Sequence, residues 1–205
     1  MTLSHVRCAP FLLLSTALLC AVPVSARQPS TPVTAVVLPD GRYSKVAFRE
    51  MSREAARILK RSGISLRSRV GIPLQAVNGL LVMVTLVGRC DMDGSPTFLK
   101  PGPLGWAQEV NGSVIPFSDL ACDNLRGAVG AAIADGNTLR ANILLGRAMG
   151  RVLAHELYHI VAGTSAHGRE GVTQATLTPR ELTSGQLELR PSEITAVENG
   201  LSRTR

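Results

Sequence analysis

Aromatic side chains are scarce in this chain, with one Trp, two Tyr and four Phe in 205 residues. That scarcity matters because the chain is basic, with 22 Lys and Arg against 15 Asp and Glu and a formal net charge of +7. Arginine far outnumbers lysine and is scattered rather than clustered. Without aromatics interleaved among the cations there is no stacking platform, so the charge reads as a solvated surface and no nucleic-acid partner is expected. Cysteine is also sparse: the four present form no CxxC pair and no cluster with histidine, which argues against a thiolate metal site. Beyond the first 26 residues no hydrophobic run reaches membrane length. No internal repeat or low-complexity segment is present. Two late absences bear on any metal site: no Asp follows Asp135, and no Met follows Met149.

The first residues have the layout of a secretory signal peptide. Arg7 precedes an apolar run from Phe11 to Val22, Pro23 ends it, and Val24-Ser25-Ala26 offers small residues for cleavage after Ala26. The expectation is a signal peptide over 1–26 and a polar, disordered lead-in over 27–32. A single domain over 33–205 would follow, monomeric and exported to the periplasm or outside a bacterial cell. No transmembrane segment is expected after signal removal. Export leaves Cys90 and Cys122 as the cysteines of the mature chain, and two cysteines in an oxidising compartment read as one disulfide. Closing a loop of that size is worth about 3–4 kcal/mol in the chain-entropy model.

Along the chain, Thr34–Leu38 reads as a strand ended by Pro39-Asp40-Gly41. Ser44–Ser62 carries Val46, Phe48, Met51, Ala55, Ile58 and Leu59 at helical spacing and stops at Gly63. Ile64–Val70 alternates as a half-exposed strand does, and the apolar run Gly79–Val87 reads as a central one. Residues 90–105 read as loop. Trp106–Val110 and Ser113–Leu120, split by Asn111-Gly112, suggest a hairpin or a bent strand. Thr138–Val161 is apolar on nearly every side, the mark of a buried helix. Thr178-Pro179-Arg180-Glu181 is a capping box opening a short helix.

Chemistry concentrates in that buried helix. His155-Glu156-Leu157-Tyr158-His159 fits HExxH: histidines four apart share a helix face and reach one ion, while Glu156 lies beside that face as a candidate general base rather than a ligand. His155, His159 and His167 are the histidines beyond the first 26 residues, all within thirteen positions. Burying two histidines and a glutamate without a compensating partner is costly. Zn2+ is the implied cofactor, lowering a water's pKa to about 7 so that the carboxylate takes up its proton. For the third ligand, His167 is favoured by chemistry and proximity. Glu181 on the capped helix and Glu170 are the alternatives.

The motif and the order of elements before it resemble the zincin metallopeptidases, and most closely their metzincin branch. The resemblance implies an α+β fold: a twisted mixed sheet with an early helix and a buried active-site helix. Metzincins continue HExxHxxGxxH and place a methionine turn under the metal. Here Gly163 and His167 each follow a spacer one residue longer, and the methionine is missing. What the resemblance implies is a zinc endopeptidase acting on a peptide or protein substrate, held extended against an edge strand over Ser113–Leu120. Two other functions stay open: a zinc-binding domain without proteolytic activity, and an exported interaction module in which the motif is accidental. Elsewhere, Tyr158 reads as core packing, Asp91 and Asp93 as a plain turn rather than a calcium loop, and Trp106 as core or cleft wall.

Overall fold

The computed structural model describes residues 30–94, 102–130, 133 and 136–203. The signal-peptide expectation over 1–26 and the first part of the lead-in lie outside the described residues. Strand β1 (Thr31–Pro39) begins three residues earlier than expected and takes in the end of that lead-in.

Helix α1 (Lys45–Leu59) starts where Ser44 accepts a hydrogen bond from the Ala47 amide at 3.3 Å. It buries Ala47, Met51, Ala55, Ile58 and Leu59 together with Glu50 and Glu54, whose carboxylates pair with Arg53 and Arg57 one turn on. One 3₁₀ turn carries the chain to Gly63, in the left-handed region at φ 76°. Strands β2 (Ile64–Val70), β3 (Leu80–Val87), β4 (Gly105–Val110) and β5 (Ser113–Ala121) follow. The sheet order is β2-β1-β3-β5-β4, parallel throughout except for the antiparallel β4–β5 hairpin. Asn111 and Gly112 both take positive φ in its turn, which suits the twist of the two strands. Strand β5 therefore lies inside the sheet and β4 is the edge, which corrects the expectation that Ser113–Leu120 offers an edge to substrate.

Two helices were not anticipated: α2 (Cys122–Gly130) and α5 (Pro191–Arg203). The long α3 (Thr138–Ala162) and the capped α4 (Pro179–Thr183) lie where the sequence puts them. Helix α3 packs against α1, α2, α4, α5 and the β4–β5 hairpin, which accounts for its apolar circumference. Among the described residues no helix is long and apolar enough to cross a membrane. Cys90, after β3, is bonded to Cys122 at the start of α2, with the Cα atoms 5.0 Å apart. Asp91 accepts from Arg89 and from the Asp93 amide, and Asp93 accepts from Asn142, so this turn spends its carboxylates on protein partners.

The tail is pinned by a buried cation. Arg151 on α3 is 1% exposed and donates to Glu54 of α1 at 2.9 Å. It also donates to the carbonyls of Ser184 and Gly185 at 2.8 and 2.7 Å, and to that of Glu181. One carboxylate and three carbonyls satisfy a guanidinium that could not otherwise remain out of water. The segment after α4 is thereby fastened to both long helices.

Candidate metal centre

Helix α3 lies under a cleft of about 870 Å³. The edge strand β4 forms one wall, and Ser165, His167, residues 174–177 and Pro179 form the other. Val152, His155, Glu156 and His159 line the floor, one helical face of α3.

The second ring nitrogen of each motif histidine is fixed by a backbone carbonyl, which can only accept. His155 Nδ1–H donates to the Val172 carbonyl at 2.8 Å, and His159 Nδ1–H donates to the Thr164 carbonyl at 2.7 Å. Both tautomers follow: Nε2 carries the lone pair on each ring. The two Nε2 atoms lie 2.9 Å apart. Burial pushes the His155 imidazole down to about 4 and lowers that of His159, so a shared proton is disfavoured. Two lone pairs aimed at one point in a buried site call for a cation between them. Tetrahedral zinc with bonds of 2.0–2.1 Å would set its nitrogens about 3.3 Å apart, a small adjustment.

His167 completes the group. Its ring centre lies 5.2 Å from that of His155 and 4.8 Å from that of His159, and one nitrogen from each of the three rings falls within 4.8 Å of the others. The chain brings it there through Gly163, which ends α3 at φ 65° and donates to the His159 carbonyl. The residue after the glycine, Thr164, supplies the carbonyl that orients His159.

The other contenders are engaged elsewhere. The Glu181 carboxylate accepts from the Thr178 amide and hydroxyl and from Gln174, and these bonds hold its pKa low, Gln174 first. Glu170 is exposed and pairs with Arg190 at 2.6 Å. Tyr158 is buried, with its ring edge-on to His159, as its core reading requires. Trp106 stands in the cleft wall.

Glu156 is 4% exposed, and burial pushes its carboxyl up to about 7 against the pull of a hydrogen bond from the Ala107 amide. The donor sits on the edge strand, so the candidate base touches the strand along which an extended peptide would lie. Gly105, two residues earlier, lets that strand approach: a Cβ there would lie 2.6 Å from Val152 and 3.2 Å from the Glu156 carboxylate. Sequence reasoning missed the carbonyls of Thr164 and Val172 and the amide of Ala107. Backbone groups carry no side-chain signal; Gly105 was the one visible trace.

No family model and no curated protein matches the chain. Among solved structures it is similar to archaemetzincin from Methanopyrus kandleri, with a TM-score of 0.49 and 12% sequence identity, covering 88% of this chain and 100% of that chain.

Proposed function

We propose that this chain is an exported, monomeric zinc-dependent peptidase in which His155, His159 and His167 hold the metal and Glu156 is the general base. The observation that carries the reading is the pair of buried imidazoles, tautomers fixed by carbonyls, with their Nε2 atoms 2.9 Å apart. Zinc held there would polarise a scissile carbonyl and lower the pKa of a water to about 7. Glu156 takes the proton of the attacking water on its carboxylate and returns it to the departing amine. In the metal-free chain burial raises this carboxyl above its ordinary range, which makes it a better proton acceptor than a solvated glutamate. The outer edge of β4 offers its backbone to an extended peptide, so affinity comes from main-chain hydrogen bonds and selectivity from the flanking pockets.

Metal content tests the ligand set. The purified protein should hold one zinc per chain, and His155→Ala or His159→Ala should abolish tight binding. His167→Ala should weaken binding far more than Glu181→Ala, because the Glu181 carboxylate is consumed by the capping box. The reverse ranking would assign the third ligand to the glutamate.

A further inference from the structure

Behind the histidines lies a turn whose hydrogen bonds lead away from the cleft. The Val172 carbonyl, which orients His155, belongs to a residue with no exposed surface, and so does its neighbour Thr173. Thr173 engages both its carbonyl and its hydroxyl. Its carbonyl accepts from the Gly168 amide at 3.0 Å, next in sequence to His167. Its hydroxyl donates to the carboxylate of Glu193 on α5, which is 6% exposed. The second Glu193 oxygen accepts from the Arg190 amide at 2.7 Å. Gly168 has no side chain for a steric reason: a Cβ there would lie 2.4 Å from the Thr173 hydroxyl and 2.5 Å from the Glu193 carboxylate. From the other side the Val172 amide donates to the Glu188 carbonyl at 3.2 Å.

We propose that Thr173 and Glu193 form a buried latch that positions the metal centre, fixing through one turn both the carbonyl that orients His155 and the backbone beside His167. The inference rests on the metal-binding reading of the three histidines. Neither residue touches the cleft, so both are positioning residues. A hydroxyl donating to a buried carboxylate is among the stronger hydrogen bonds a protein forms, and with little exposed surface the carboxylate has few ways to replace it. The latch spans from α5 to two of the three histidines. The cost of losing it should therefore fall on metal affinity and ligand geometry more than on the fold, since groups that orient ligating histidines typically contribute 10–100-fold to metal affinity.

The test is a competitive zinc titration of metal-free protein, with the visible spectrum of the cobalt-substituted form as a second readout. Thr173→Val keeps the shape and deletes the donor; it should weaken zinc binding by about 10-fold or more and shift the cobalt bands. Thr173→Ser keeps the hydroxyl and should restore both. Glu193→Gln should weaken binding in the same direction as Thr173→Val. A merely structural role would lower the unfolding temperature of the metal-free protein yet leave zinc affinity and the cobalt spectrum unchanged, and that result overturns the latch while leaving the metal reading intact. Wild-type protein that binds neither ion overturns both. If Thr173→Val fails to fold, Glu193→Gln decides: weakened zinc binding with shifted cobalt bands supports the latch, and an unchanged affinity and spectrum contradict it.

Discussion

At Glu156 a carboxylate is 4% exposed in the floor of a cleft, with the Ala107 amide donating to it. Its carboxyl rises from 4.5 to about 7 because burial disfavours the charge. A group whose folded pKa lies above its unfolded value contributes stability that is full below about pH 4.5 and is lost as pH climbs through about 7. Glutamine at this position cannot ionise. In metal-free protein, Glu156→Gln should therefore gain stability relative to wild type as pH rises from 5 to 8, by up to roughly 3 kcal/mol. Denaturant unfolding in the presence of a chelator measures this, and a difference that does not vary with pH would refute it. His155 bends the wild-type curve the other way. Its folded pKa is depressed to about 4 by burial, so its contribution is present above about 6.5 and is lost as pH falls.

Among elements, α3 is held closest to α1 by its own glycines. A Cβ on Gly150 would lie 2.7 Å from the Met51 carbonyl, and one on Gly146 would lie 2.4 Å from the Ala47 carbonyl. Helix propensity alone favours alanine over glycine by about 1 kcal/mol. Backbone atoms in the neighbouring helix cannot step aside, so overpacking prevails, and Gly150→Ala should destabilise by about 1–3 kcal/mol. Thermal unfolding checks the sign; a raised melting temperature would show that the helices separate freely. Elements with strong local signals were legible in the sequence: Ser44 and Gly63 bracket α1, and Thr178 with Glu181 opens α4. Helix α5 was not, because Ile194, Val197 and Leu201 recur at helical spacing but make too narrow a stripe to stand out. Gly200 is there because a Cβ would lie 1.8 Å from the Val161 carbonyl of α3, a fact of packing that no local pattern records. The place of β5 inside the sheet was hidden for a similar reason. A hairpin sequence specifies that two strands pair, but not which of them pairs with β3.

On the scale of the whole molecule, distant segments converge on α3. The Cys90–Cys122 bond ties the end of β3 to α2, Arg151 ties the tail to α1 and α3, and β4 brings the Ala107 amide to Glu156. The histidines and the glutamate were readable because HExxH is a helical spacing with chemistry attached. His167 was readable through its chemistry and its proximity, and the structure places it beside the other two. What surrounds them, the carbonyls of Thr164 and Val172 and the edge-strand amide, comes from segments whose sequence announces nothing. The central claim, that this arrangement hydrolyses peptide bonds, is tested most directly by comparing zinc-loaded wild type with Glu156→Gln on a casein-like substrate. Wild type should cleave it. Glu156→Gln should fold, keep one zinc per chain and lose about 10²–10⁴ in rate, the usual contribution of a general base. Unchanged hydrolysis by Glu156→Gln, or a zinc-loaded wild type that cleaves nothing in a broad peptide library, would contradict the account.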